Sequence, residues 1–172
     1  MDYRYGSGKK YNGPRVFGKD IFANAGVNLQ VIAVSGRPYT AKQTPDVLGG
    51  SQTKGSINGS RLPWNNTVNL RVDKDFALTK GKNGGKGMNL NVFFRVSNLL
   101  DARNIIQAYS ATGSPTNDGY LTSSRGLDNL DQLADGGFRS QEAYLASYQW
   151  RVLNPNFYSL PRRMYVGARV DF

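Results

Sequence analysis

Glycine, lysine and asparagine crowd residues 81–87, which read Gly81-Lys82-Asn83-Gly84-Gly85-Lys86-Gly87. A glycine-rich loop with a lysine can cradle phosphate, because bare backbone N–H groups approach the anion and the ammonium neutralises it. Here the spacing departs from the phosphate-loop pattern and no Ser or Thr follows the lysine, so a turn is the better reading. Asn117-Asp118-Gly119 has the start of a calcium loop, but the acidic residues that should recur at intervals are missing, and it too reads as a turn. Asn65-Asn66-Thr67 fits a glycosylation sequon, a match expected by chance at this length. The chain has no cysteine and no histidine. That excludes thiol nucleophiles, disulfides, imidazole bases and the usual zinc ligands. Paired carboxylates suited to hydrolysis are not evident either. The chain is not read as an enzyme, and no catalytic residue, cofactor or metal is expected.

The informative chemistry lies in alternation. Met164, Val166, Ala168, Val170 and Phe172 fall on one parity, and Tyr165, Gly167, Arg169 and Asp171 on the other. Such period-two patterning marks a strand with one apolar and one polar face. Three further runs alternate in the same way. Residues 22–35 place Val27, Leu29, Val31 and Ala33 opposite Asn28 and Gln30; residues 65–78 place Val68, Leu70, Val72, Phe76 and Leu78 opposite Asn69, Arg71 and Asp73. Residues 88–98 place Leu90, Val92, Phe94 and Val96 opposite Asn89, Asn91 and Arg95, with Phe93 the one misfit. The last strand covers residues 160–172, and a fragment of a fifth is expected at Tyr3 and Tyr5.

Composition bounds what these strands can be. The 172 residues suit one ordinary domain, the net charge is +10, and 39% of residues are hydrophobic. A mean hydropathy of −0.50 and no long apolar run exclude a transmembrane helix, which needs roughly 20 apolar residues. They leave open a transmembrane barrel, whose strands need only about 9–11 residues with every second one apolar. The basic residues are scattered, in small groups such as Lys9-Lys10 and Arg162-Arg163, as on solvated turns and strand ends. Nucleic acid is not an expected partner.

Connection lengths point the same way. With the final strand running down to the periplasm, the short link at residues 79–87 is periplasmic, and the long links at residues 36–64 and 106–158 are extracellular. Short inside and long outside is the asymmetry of outer-membrane barrels. The second long link is expected to hold a short helix capped by Ser140, with Tyr144, Leu145 and Tyr148 on one face and Asn154-Pro155 ending it. Leu127, Leu130 and Leu133 form another helical turn before it. Tyr39, Trp64, Phe76, Tyr109 and Tyr158 lie near strand ends, as in an interfacial girdle; Trp64 or Tyr39 stacking on a ligand is the alternative.

The apolar faces are assigned to lipid and the polar faces to a wet lumen. Slipping the last strand by one residue would aim Arg163, Tyr165, Arg169 and Asp171 at lipid, where an arginine costs about 2–4 kcal/mol at the midplane. The expected lumen-facing set is therefore Asn69, Arg71, Asp73, Asn89, Asn91, Arg95, Arg163, Tyr165 and Arg169. Four or five strands cannot close a barrel, which takes about eight. Left alone they would present open edges and an apolar band. The rest of the barrel is expected from the same parent chain or from partners. No signal peptide opens the sequence, and the chain is accordingly expected to be the tail of something longer.

Several phrases occur in order: Asp2-Tyr3-Arg4-Tyr5-Gly6, Tyr11-Asn12-Gly13-Pro14, Ser35-Gly36-Arg37-Pro38-Tyr39-Thr40 and Gly55-Ser56-Ile57-Asn58-Gly59-Ser60-Arg61-Leu62-Pro63-Trp64. Asn91-Val92-Phe93-Phe94-Arg95-Val96-Ser97-Asn98-Leu99-Leu100-Asp101 follows, then Tyr109-Ser110-Ala111-Thr112-Gly113-Ser114-Pro115, and Asn154-Pro155-Asn156-Phe157-Tyr158-Ser159-Leu160-Pro161-Arg162-Arg163 leads into the last strand. Together they resemble the carboxyl-terminal part of TonB-dependent outer-membrane receptors, particularly the Bacteroidetes-type ones, across nearly the whole chain. The resemblance implies an all-β fold: residues 1–172 as the last four to five strands of an antiparallel transmembrane barrel of about 22 strands, without the plug domain and TonB box. It implies active uptake of a nutrient ligand by the complete receptor in the bacterial outer membrane. Implied partners are outer-membrane lipid, the remaining strands and plug, a TonB-type energy transducer acting through that plug, and the barrel assembly machinery. Met164, Val166, Ala168, Val170 and Phe172 would be the assembly signal. The ligand-binding residues are not legible. Two rivals stand beside this reading: a non-transporting barrel component that docks within a larger outer-membrane assembly, and a soluble basic all-β binding domain.

Overall fold

Each alternating run forms a strand in the computed structural model of the chain, which describes residues 1–49, 52–79, 87–135 and 140–172. The strands are β1 (Asp2–Arg4), β2 (Ala25–Val34), β3 (Pro38–Tyr39), β4 (Ser60–Arg61), β5 (Asn65–Ala77), β6 (Asn89–Ser97) and β7 (Arg163–Asp171). Two helices, α1 (Ser124–Asp135) and α2 (Gln141–Val152), lie between β6 and β7. The fold is mostly β, and its main sheet takes five strands in chain order, β1-β2-β5-β6-β7. Strands β3 and β4 form a separate antiparallel pair.

The main sheet is antiparallel. β1 pairs with β2 from Asp2↔Asn28 to Arg4↔Gly26. β5 pairs with β6 from Leu70↔Val96 to Ala77↔Asn89, and β6 with β7 from Asn89↔Asp171 to Ser97↔Arg163. Between β2 and β5, Asp75 N–H donates to the Asn24 carbonyl at 3.1 Å, and the Asn69 amide donates to Gln30 Oε1 at 3.2 Å. Both pairs add to the same residue sum, as an antiparallel register requires. The β5–β6–β7 ladders run without a skipped position, so the alternation in each strand is carried intact across the sheet.

Local chemistry ends β6. Asn98 takes a left-handed φ of 56°, which asparagine tolerates better than most residues. Its Oδ1 accepts from Ala102 N–H at 3.0 Å, and its Nδ2 donates to the carbonyls of Ala102 and Leu160 at 3.0 and 3.2 Å. Asp101 adds a second clasp, its Oδ1 accepting from Arg162 N–H at 2.8 Å. Two short polar side chains thus terminate one strand and fix the approach to the next.

The chain divides into two compact units. One holds residues 1–32, 66–102 and 160–172, the bulk of the main sheet; the other holds residues 33–65 and 103–159, the two long connections. Within that second unit the two connections are tied to each other. Lys42 N–H donates to the Ser110 carbonyl at 3.0 Å, and the Ser110 hydroxyl donates to Asp46 Oδ2 at 3.2 Å. Helix α2 starts where the capping residue requires, with Ser140 Oγ accepting from Ala143 N–H at 3.1 Å. It ends before Asn154, whose side chain opens a 3₁₀ turn at Pro155–Phe157. Helix α1 runs 12 residues, where the leucine spacing alone gave a turn.

Residues 80–86, the core of the expected short turn and of the phosphate-loop look-alike, lie outside the described residues. Residues 5–24, which join β1 to β2, leave from the same end of the sheet as residues 78–88. The length asymmetry read from the last four strands therefore does not extend to β1. Its three residues are too few to carry an alternation from which a link could have been measured.

Candidate functional site

Unbroken register places all nine expected polar positions on one face of the sheet. Ser97 shares a row with Arg163, Arg71 with Arg95 and Tyr165, and Asp73 with Phe93 and Gly167, while Asn69 lies two positions before Arg71 on the same side of β5. The next rows hold Asp75, Asn91 and Arg169, then Ala77, Asn89 and Asp171. Each residue sits there because side chains in a strand alternate and the strands pair without a bulge.

Asp73 is the buried centre of this face, with 7% exposure. It is held by Arg4 from β1, whose Nη2 lies 2.5 Å from Asp73 Oδ2, while Nη1 lies 2.7 Å from Asp75 Oδ2. Asn91 joins both carboxylates, its Nδ2 donating to Asp75 Oδ1 at 2.5 Å and Asp73 Oδ2 at 3.3 Å. Arg4 reaches two strands away because Gly26, its partner on β2, has no side chain. A Cβ there would stand 2.9 Å from Arg4 Nη2. The sequence pattern does not flag Arg4, Asp75 or Gly26. Asp75 has the right parity but follows Lys74, which breaks the apolar run, and Arg4 belongs to a strand too short to show a period.

Phe93, the misfit of the alternation, lies on the polar face and is used there. Its ring sits 4.9 Å from the Arg71 guanidinium carbon and occupies the space above Gly167, where a Cβ would approach the ring to 2.4 Å. Tyr165 performs the same service for Arg95, at 5.2 Å. Arginine stacks on aromatic faces because its planar cation meets the negative ring face. Both arginines are thus held by rings, and Arg71 also has the Asp73 carboxylate at 3.7 Å.

The opposite face is mostly apolar. Met164, Val166, Ala168 and Val170 pair with Val96, Phe94, Val92 and Leu90, and Phe172 follows the end of β7. Val31, Val166 and Phe172 are 68%, 79% and 81% exposed. Val96, beside the Asn98 turn, is instead 1% exposed, so the apolar face is covered at that point. Lys74 also falls on this face. Its ammonium donates to the Ile21 carbonyl and lies 5.1 Å from the Phe76 ring, so the charge is led away to the sheet end while its stem stays on apolar surface.

In the unit of long connections, Asp118 and Tyr148 are both buried, and the Tyr148 hydroxyl donates to Asp118 Oδ2 at 2.6 Å. The Asn117-Asp118-Gly119 turn forms as read: Gly119 N–H donates to Asn117 Oδ1 and Tyr120 N–H to Asp118 Oδ1. Nothing local to this turn marks the aspartate as a buried anchor for α2 as well. Tyr120 stacks on Tyr148 at 5.4 Å, and Asn129 donates to the hydroxyls of Tyr120 and Tyr144 at 3.2 Å. Burial, then the hydrogen bond and charge of Asp118, push the Tyr148 phenol well above the usual range. Burial likewise raises Tyr109 and Tyr144. Tyr109 packs edge-on against Phe157 at 5.0 Å and donates to the Val152 carbonyl, so its place is within this unit's packing and not in an exposed girdle. Trp64 is exposed.

Among the described residues no three His, Cys, Asp or Glu side chains stand close enough to hold a metal ion, and no helix is long and apolar enough to cross a membrane. No protein-family model, curated protein or solved structure matches the chain. The functional reading therefore rests on the two-faced sheet itself.

Proposed function

We propose that the chain is barrel wall, the carboxyl-terminal strands of a TonB-dependent receptor that takes up a nutrient ligand across the bacterial outer membrane. The observation that carries this reading is the contrast between the faces of one sheet: a connected polar network on one side and an exposed, mostly apolar band on the other. Strands β2, β6 and β7 have 10, 9 and 9 residues, close to the roughly 9–11 that a tilted strand needs to cross hydrocarbon. Lipid covers the face of Val31, Val166 and Val170, and Lys74 snorkels to the interface. The face of Asn69, Arg71, Asp73, Asn91 and Arg95 lines the lumen, where amides and guanidinium groups stay hydrated.

In this reading the chain does no covalent chemistry. Its polar face lines the path that opens when the energy transducer pulls on the plug. The edges β1 and β7 pair with strands from the rest of the receptor, which removes the aggregation hazard of an open sheet. Met164, Val166, Ala168, Val170 and Phe172 serve as the assembly signal.

Purification tests the reading directly. The full chain is expected to require detergent or lipid to remain dispersed; a stable monomer in plain buffer would return it to the soluble binding domains. Within the parent receptor, deleting Phe172 is expected to lower the amount of folded barrel in the outer membrane sharply. Unchanged assembly would remove the assembly-signal role.

A further inference from the structure

Charge on the polar face is compensated unevenly along its strands. In the rows nearer the β5–β6 connection, Arg4 lies 2.5 and 2.7 Å from Asp73 and Asp75, and Arg169 lies 3.1 Å from Asp171. Charge is compensated there. In the rows nearer the Asn98 turn stand Arg71, Arg95 and Arg163. The β1–β2 and β2–β5 registers put Asp2 at the far end of the Arg71–Arg95 row, beyond Asn28.

Arg71 and Arg95 are directly opposite each other on neighbouring strands, a placement that costs energy for like charges. Phe93 and Tyr165 hold the two guanidinium groups in place. Arg71 has Asp73 at 3.7 Å, beyond hydrogen-bond distance, and among the described residues Arg95 meets no carboxylate. Beside them opens a hollow of roughly 300 Å³, lined by Asn28, Gln30, Asn69, Arg71, Arg95 and Ser97 together with Leu70. Asn69 donates to Gln30 Oε1, which ties the two amides of the lining together. The lining thus offers two cations and several side-chain amides, and none of its seven residues is acidic.

We infer that this hollow is an oxyanion subsite, which takes a carboxylate or phosphate group of a small ligand between Arg71 and Arg95. An oxyanion there relieves the repulsion between the two guanidinium groups, and the planar donors of arginine suit carboxylate and phosphate oxygens in pairs. The hollow lies at the small end of ligand pockets, which matches a small oxyanion. The inference rests on the barrel reading for one point, that this face is open to a transported ligand and not packed under other protein.

Calorimetric titration of the full chain in detergent micelles at low ionic strength, with citrate and with inorganic phosphate as probes, tests the subsite. Arg71→Gln and Arg95→Gln are each expected to weaken binding at least tenfold, Arg95→Lys less, and Lys9→Gln not at all. Circular dichroism checks that every variant keeps its β content. Tighter binding of citrate marks a carboxylate site, and tighter binding of phosphate a phosphate site. Equal affinity in the wild type and Arg95→Gln overturns the subsite, as does displacement of both probes by chloride at matched ionic strength. Should the glutamine variants fail to fold, Arg95→Lys and the chloride competition still decide. Binding by a chain that needs no detergent would keep the subsite and remove the barrel; a detergent-dependent chain that binds neither probe would do the reverse.

Discussion

Phe93 fills the space that a side chain at Gly167 would need, with an ideal Cβ at that position only 2.4 Å from the ring. The two residues are register partners on β6 and β7, and the ring in turn carries Arg71. Gly167→Val is therefore expected to destabilise the sheet by about 1–3 kcal/mol through overpacking. Gly167→Ala should cost less. Combining Phe93→Ala with Gly167→Ala should recover part of the loss, because the clash is gone. Urea unfolding in micelles measures each step, and strict additivity of the pair would show that ring and glycine are not coupled.

Arg4 and Asp73 form the second long-range tie. Arg4 is half exposed and Asp73 is buried, so the consequence of losing the pair lies mainly in the stranded carboxylate. Arg4→Met is expected to cost about 1–3 kcal/mol, the usual penalty for a buried acceptor that loses a charged donor, with Asn91 still donating to it. β1 should also fray, seen as faster hydrogen exchange at Tyr5 N–H, which now donates to the Ala25 carbonyl at 2.9 Å. Adding Asp73→Asn should reduce the penalty; an undiminished loss in the double variant would place the effect elsewhere.

Tyr148 gives a pH dependence with a definite sign. Its neutral phenol is favoured in the folded state by burial and by Asp118, so the folded pKa is raised. The stabilisation is complete below the ordinary phenol value of about 10 and is lost as pH rises beyond it. Tyr109 and Tyr144 act in the same direction. Thermal unfolding of the connection unit, followed by near-ultraviolet circular dichroism, should therefore weaken from about pH 10 upward. Tyr148→Phe should flatten that decline and cost about 1–3 kcal/mol at neutral pH, since Asp118 loses a donor. A decline of equal steepness in the variant would exclude Tyr148 as its source.

The four longer strands of the main sheet were legible from alternation because period-two patterning survives wherever a strand has two different faces. Their ends fell within a few residues of the expected ones, as between residues 22–35 and Ala25–Val34. Ser140 and Asn154-Pro155 bounded α2 because capping and proline act locally. What escaped the sequence depends on residues far apart in the chain. Arg4 meets Asp73 and Asp75 only after β2 is inserted between their strands, and nothing local marks Gly26 as the gap that lets it through. Asp118 looked like a turn residue and is one; its bond to Tyr148 appears only when α2 packs against that turn. Phe93 looked like an error in the pattern because parity does not register that a ring can serve a polar face by stacking under arginine.

Val166 offers the sharpest separation of the membrane reading from its soluble rival. It lies in the middle of β7, opposite Phe94, and is 79% exposed. On a soluble protein, Val166→Arg adds a charge to open surface, a change that stays within about 0.5 kcal/mol. On a lipid-facing strand the same arginine costs about 2–4 kcal/mol near the midplane, falling toward 1 or less at the interface. Tyr165→Arg, on the polar face, controls for the loss of β propensity and for added charge, although it removes the ring under Arg95. With the chain in lipid vesicles, Val166→Arg is expected to lose stability by the larger amount and Tyr165→Arg by clearly less. The reverse order would put lipid on the face of Arg71 and Arg95, which the cost of burying those cations forbids, and would therefore end the barrel-wall reading altogether.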